Sequence, residues 1–307
     1  MPVARLREAI LEYLSDARSD SVEVQQKALY NLASMTKVSL QNRSLLAQTE
    51  GAISNFIMLT KSSSPIIETL ALAILFNLSL NLDLKQSLAD MNTILRLNSI
   101  IISPRSPESS RLACSLVCSL AMLDKNKAKF GVAGTIQILV DAISGPRGPA
   151  SHHLLSSLAE LVQFHGNCTL AVRSGAVPVL MGIIESPDGE DLAGSSLAIL
   201  VLLVRFEEGL NAIIGRERIV SCMVEVLKRR CMLSKEGAGE ILLRIFDESE
   251  GCVRDALRLP ELSTVLADLS VRGSSKAREK AAQLMKKMTE ASSDPGIDGN
   301  SMFLQWY

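Results

Sequence analysis

Aromatic side chains are scarce. The 307 residues hold 7 Phe, 3 Tyr and 1 Trp although 47% of the chain is apolar, so the core must be built from aliphatic side chains. The 18 glycines and 10 prolines are too few for a turn-rich all-β protein or a disordered chain, both of which consume those residues quickly. Neither sign of charge dominates: 32 basic against 33 acidic residues leave a formal net charge of -1. No global field gathers nucleic acid or an anionic membrane surface. The most apolar run, Leu197 to Val204, falls far short of the roughly 20 residues that cross a bilayer. The opening residues, Met1 to Glu8, carry charge and lack the apolar stretch and small-residue cleavage site of a signal peptide. These absences point to a mainly helical chain with neither a membrane nor a specific nucleic acid as partner, and length alone predicts about two domains.

Chemistry-bearing residues are equally thin. Three histidines leave few groups to act as acid or base near neutral pH. His165 and Cys168, in Phe164-His165-Gly166-Asn167-Cys168, are the one close Cys/His pair. A turn between helices explains them, with Gly166 ending one helix and Asn167 capping the next, better than a catalytic dyad does. His152 and His153 adjoin, so on a helix they point about 100° apart instead of converging on a metal. The cysteines (Cys114, Cys118, Cys168, Cys222, Cys231, Cys252) include no Cys-x-x-Cys pair. Reduced, packed thiols are expected, and with them a cytoplasmic or nuclear location. Gly145-Pro146-Arg147-Gly148-Pro149 lacks the lysine and free amides of a phosphate cradle. No active site, metal, cofactor or small-molecule substrate is expected.

What the chain does have is a period. A glycine opens a short apolar helix at Gly51-Ala52-Ile53, Gly134-Thr135-Ile136 and Gly175-Ala176-Val177, with Asn92-Thr93-Ile94 in the same place once. Pro65, Pro107 and Pro149 recur 42 residues apart, where proline suits the first turn of a helix; with Pro104, Pro146 and Pro187 they fall in loops ahead of one helix of each unit. A third series aligns Asn31, Asn77, Ser119, Glu160, Leu202, Arg244 and Lys286. Two later units lose the glycine, Glu217 and about Pro260 standing in its place. Apolar positions such as Leu70, Leu72, Ile74, Leu75 and Leu78 cover more than one helix face, so neighbouring units must bury them.

Three helices per unit, the Gly175-Ala176-Val177-Pro178-Val179-Leu180 opening and the string Ala71 to Ser79 resemble armadillo repeats over residues 3–290. More narrowly, Asp124-Lys125-Asn126-Lys127 and the ending Ser274 to Met285 resemble the armadillo region of plant U-box ubiquitin ligases. The resemblance implies an all-α, right-handed armadillo-repeat superhelix, an α-solenoid of about six repeats plus a partial N-terminal one, followed by a flexible tail at 291–307 with Trp306 near its tip. Nothing in the sequence looks like a U-box. The first helix, Leu6 to Leu14, aligns with the second helix of a unit, so the expectation is a ligase relative without its recruiting end, or an incomplete chain.

In armadillo folds the third helices line a concave groove. By that resemblance the groove is expected to hold Lys27, Asn31, Asn77, Ser115, Ser119, Ser156, Glu160, Arg205, Glu240, Arg244 and Lys286, together with Ala73 and Ala198. An asparagine amide open to the groove can clamp the main chain of an extended peptide, and Asn31 and Asn77 are expected there. Glu240 and Arg244, four apart on one helix, can pair with each other. Import-type carriers place tryptophan four residues before each asparagine, to hold lysine stems by cation–π contacts. Here Lys27 and Ala73 stand there, so basic signals are disfavoured. Two lysine groups, Lys125, Lys127 and Lys129, and Lys276, Arg278, Lys280, Lys286 and Lys287, are expected on solvated helix faces. The function expected is a non-enzymatic scaffold that binds a protein or peptide in a ubiquitin-ligase-related system. The alternatives are the downstream part of a U-box ligase, active only with a U-box from a longer product, and an import-type carrier.

Overall fold

The structure, a computed structural model, describes residues 3–186 and 190–293. Every regular element among them is a helix. Chain order sorts the helices into the expected threes. A pair, α1 (Val3–Asp16) and α2 (Val22–Val38), comes first. Then follow α3 (Leu40–Gln48), α4 (Ala52–Leu59) and α5 (Pro65–Ser79); α6 (Leu82–Leu88), α7 (Met91–Ile102) and α8 (Pro107–Ala121); α9 (Asp124–Val132), α10 (Thr135–Ser144) and α11 (Ser151–Leu161). The remainder are α12 (His165–Arg173), α13 (Ala176–Glu185) and α14 (Glu190–Leu203); α15 (Glu207–Ile214), α16 (Ile219–Lys228) and α17 (Met232–Glu248); α18 (Glu250–Leu257), α19 (Pro260–Arg272) and α20 (Ser275–Ser292). The chain divides into two compact units, residues 1–174 and 175–307. Pro187, Trp306 and the tail from 294 onward lie outside the described residues.

In the first unit α2, α5, α8 and α11 pack side by side; in the second, α14, α17 and α20 do so. Helix α5 shows why. Pro65 stands at its first position, where its missing N–H costs nothing. Ile67, Ala71, Leu72, Ile74, Leu75 and Leu78 are then all buried, occupying two faces instead of one stripe. One face meets α2 and the other α8. Each fully buried leucine or isoleucine is worth roughly 1.5–3 kcal/mol, so stacking rather than intrinsic propensity holds these short helices. Pro107 repeats the arrangement at α8.

The turn between the first and second helix of a repeat has a particular backbone demand. Gly51, Gly134 and Gly175 all sit at left-handed φ, +71°, +76° and +82°, immediately before α4, α10 and α13. A Cβ there costs roughly 1–2 kcal/mol. Two repeats meet the demand differently from the sequence expectation. Asn92 is not the glycine equivalent: Asp90 caps α7, its carboxylate accepting from the N–H groups of Asn92 (2.8 Å) and Thr93 (3.1 Å). The position assigned to Glu217 belongs to Arg218, which takes the left-handed conformation itself at φ +59°. Before α19 the chain is extended at Leu259, so no left-handed residue is needed.

Polar side chains tie successive repeats of the first unit together. Asn126 is fully buried and its amide donates to the carbonyls of Lys85 and Leu120, both at 3.0 Å. Asn167, one repeat later, donates to Lys127 and Leu161 at the same distances. The turn expected at Gly166 and Asn167 is therefore corrected: α12 already begins at His165, and Asn167 uses its side chain to hold the end of α11 instead of capping α12. A second set, Arg43, Lys85 and Lys127, recurs every 42 residues. Arg43 donates to the Thr36 carbonyl and to Asn81, Lys85 to the Ser119 carbonyl and hydroxyl, and Lys127 pairs with Asp124 (2.7 Å) and Glu160 (3.0 Å). Lys127 is only 3% exposed, and Lys129, half-buried, donates to Ala89. The solvated face expected for them is corrected: their long stems cross to neighbouring elements, where helix-end carbonyls and carboxylates need cations.

Candidate functional site

The third helices of the repeats, α2, α5, α8 and α11 in one unit and α14, α17 and α20 in the other, carry every residue expected in the groove except Arg205, which follows α14. Within the first unit the column does not behave as a row of open clamps. Asn77 is 9% exposed, and its amide donates to the Ala33 carbonyl (3.1 Å) and to the Thr36 hydroxyl (3.0 Å) in the last turns of α2. Ser119 is 6% exposed, accepting from Ser79 (2.8 Å) and Lys85 (3.0 Å). The groove exposure expected for Asn77 and Ser119 is corrected: the C-terminal turns of α5 and α8 face neighbouring elements, and their polar groups are consumed there. Burial holds the Lys85 ammonium below the usual lysine range, against the pull of Cys118 and Glu160.

The positions one turn earlier are the open ones. Lys27 and Ser156 are exposed and Ala73 and Ser115 half-buried, as is Asn31 in the column itself. The hydroxyls of Ser115 and Ser156 bond back to the carbonyls four residues before them, Arg111 and His152. Glu160 is half-buried and held by Lys127 and by the Gln163 amide. On this polar face Ser115, Ser156 and Glu160 are satisfied within the unit, while Lys27 and Asn31 make no side-chain hydrogen bond or ion pair among the described residues.

The second unit is different. Its groove helices enclose a cleft of about 300 Å³. The floor exists because side chains are small: Gly194 and Ala198 on α14 face Gly237 on α17, and a Cβ at Gly237 would come within 3.1 Å of the Leu197 Cβ. Val201 and Leu233 complete an apolar lining, and Leu233 is left 63% exposed. Charge stands around it. Arg205 follows α14, Glu236 and Glu240 project from α17, and Lys276 and Lys280 come from α20. Glu240 pairs with Lys280 and, at 3.5 Å, with Arg244. The Lys280 hydrogen bond, opposed by partial burial, holds the Glu240 carboxyl below the usual range.

Of the expected residues, Arg205 and Glu240 line this cleft, Arg244 adjoins it through Glu240, and Lys286 lies a turn and a half beyond Lys280, within 3.8 Å of Glu290. The solvated face expected on α20 is corrected in part. Lys280 is half-buried against Glu240, and Lys287 pairs with Asp247, so two of its cations dock on α17. Gly194, Leu233, Gly237, Lys276 and Lys280 were not legible as groove residues; the available signal is a pair of glycines inside helices, one repeat apart. The thiols also divide: Cys114, Cys168 and Cys252 are buried and Cys118 and Cys222 half-buried. Cys231 is exposed at the start of α17, which corrects the expectation that all are packed.

Among the described residues no single helix is long and apolar enough to cross a membrane. Two engineered proteins of known structure share the fold. One superposes with a TM-score of 0.62 at 16% identity, covering 92% of this chain and 82% of that one. The other gives 0.59 at 14%, covering 92% and 97%. Three plant proteins are similar in sequence. U-box domain-containing protein 8 of Arabidopsis thaliana is 26% identical over 213 residues, 69% of this chain and 55% of that protein. U-box domain-containing protein 1 of Medicago truncatula is 31% identical over 127 residues, 40% of this chain and 18% of the relative. U-box domain-containing protein 17 of Arabidopsis thaliana is 28% identical over 142 residues, 46% and 19%. The chain thus spans about half the length of the first relative and under a fifth of the others. The family described as plant U-box protein ARM repeat region matches residues 6–304. With its helices in threes and its repeat-spaced turns, the α-solenoid chain belongs to the plant U-box protein ARM repeat family.

Proposed function

We propose that this chain is a protein-interaction scaffold of a ubiquitin-ligase-related system, holding an extended segment of a partner protein against its groove helices. The cleft between α14, α17 and α20 carries the proposal: an open, small-residue floor with charged groups around it. Its lining contains no histidine or cysteine, and Glu240 is tied up by Lys280 and Arg244. Such a surface offers shape and charge for recognition. A cytoplasmic or nuclear location is part of this proposal, supported by cysteines that include no Cys-x-x-Cys pair and are mostly packed. The test is recovery of a partner from plant-cell extract by affinity purification with mass spectrometry, then titration of that purified partner. Ala198→Trp, at an exposed position, fills the cleft; it should weaken affinity about tenfold or more without shifting thermal unfolding. Unchanged affinity removes the groove from the reading.

The names of the relatives favour a second reading, in which this region selects substrates for a U-box working in the same assembly. Incubated with ubiquitin-activating and ubiquitin-conjugating enzymes, the 307-residue chain should build no ubiquitin chains by itself. Robust chain formation would overturn the scaffold reading.

A further inference from the structure

We infer that the cleft of the second unit accepts an acidic peptide segment bearing one large apolar side chain. The inference rests on the scaffold reading and specifies what the scaffold holds. The cleft is small, about 300 Å³, the lower end of the size that encloses a ligand. It accommodates one anchoring side chain with main chain passing over it. The seat for that anchor is apolar: Gly194, Ala198 and Gly237 form the floor, and Leu233 stands 63% exposed at its side. An exposed leucine beside helix glycines gains by being covered.

The charges around the seat are unbalanced. Glu240 is neutralised twice, by Lys280 and by Arg244. Glu236 accepts from the Ser274 hydroxyl at 2.5 Å. Arg205 and Lys276 are exposed and form no ion pair among the described residues. Counting Arg244, four cations surround two carboxylates. A segment with Asp or Glu beside its apolar anchor brings carboxylates to Arg205 and Lys276 while Glu236 and Glu240 remain engaged. A lysine-rich segment would meet the two unpaired cations instead. A nucleic-acid backbone gains the same cations but meets both carboxylates and finds no aromatic side chain in the lining on which to stack a base.

The test is selection of random dodecapeptides displayed on phage against the purified full-length chain, followed by fluorescence polarisation of the enriched sequences. Enriched peptides should combine Asp or Glu with a single Leu, Ile, Met or Phe. Their affinity should fall as salt rises and drop about tenfold in the Arg205→Glu/Lys276→Glu variant. Neither side chain forms an ion pair among the described residues, so the fold should be unaffected; circular dichroism checks this. The same variant should recover affinity for peptides whose acidic residues are replaced by lysine. Ala198→Trp should abolish binding. Neutral or basic peptides that Ala198→Trp excludes would overturn the acidic assignment and leave the scaffold reading standing. If Ala198→Trp excludes no peptide, both fail.

Discussion

Asn126 offers the sharpest check on what joins one repeat to the next. Its side chain is fully buried, its amide nitrogen donates to Lys85 and Leu120 at 3.0 Å each, and its own oxygen has no hydrogen-bond partner among the described residues. The residue is there as a double donor. Both carbonyls also accept a backbone N–H, from Ala89 at 3.2 Å and from Leu123 at 3.3 Å, so truncation does not orphan them. Asn126→Ala removes two hydrogen bonds at about 1 kcal/mol each and leaves a small void, for about 3 kcal/mol in total. At 1.4 kcal/mol per decade, amides of α8 and α9 that exchange through local opening should lose protection about 100-fold. Hydrogen–deuterium exchange read by mass spectrometry reports this by segment. Asn126→Asp keeps the shape but turns a carboxylate toward two carbonyls. Its folded pKa is then raised, because burial and the carbonyl oxygens favour the neutral form. The folded state binds more protons than the unfolded one, so that variant is most stable below the ordinary aspartate range and weakens as pH climbs through it. An Asn126→Asp chain as protected as the parent at pH 7, or one that gains protection with rising pH, would refute the donor role.

Three further outcomes are expected. Gly134 has nothing within 4 Å of a built Cβ and φ +76°, so Gly134→Ala should cost about 1 kcal/mol in urea denaturation through backbone strain alone, while Arg218→Gly, relieving the same conformation, should stabilise by a similar amount. Because pairing with Lys280 depresses the Glu240 carboxyl, the α17–α20 contact is stabilised above the unfolded carboxylate pKa and loses that contribution as pH falls through the depressed folded value. Glu240→Gln should flatten that acid limb in a pH series of thermal unfolding. Burial pushes the Cys114 thiol up to about 12 and the Cys222 thiol to about 11, so maleimide at neutral pH should label exposed Cys231 first and reach Cys114 only after unfolding.

The repeat and its helices were legible because they are written in spacing. Prolines 42 residues apart, Gly51, Gly134 and Gly175, and apolar residues on two helix faces each report a local or nearest-neighbour requirement. Legibility faded where one local demand had several solutions. A left-handed glycine, an aspartate cap and a left-handed arginine all open a second helix, and sequence alignment placed the last two a residue or two away from Asp90 and Arg218. Lys127 reads as part of a solvated helix face and Asn126 only as part of the Asp124 to Lys127 resemblance, yet both are buried: the lysine reaches the Glu160 carboxylate of the next third helix and the asparagine amide the Lys85 carbonyl one repeat back.

The same physics separates what each level determined. Composition and period by themselves pointed to a mainly helical chain of repeating units that cover one another, since apolar residues on several faces of a helix need neighbours to remove them from water, and the three-helix unit followed from the armadillo resemblance. Which face of a third helix stays open is a matter of about 100° per residue and of what the next element brings. Tertiary structure alone decided that Asn77 and Ser119 turn into helix contacts, that Lys280 reaches Glu240, and that Gly194 and Gly237 leave a cleft beside an exposed Leu233. Side chains as long as lysine, and as absent as that of glycine, acquire their meaning from the neighbour one repeat away.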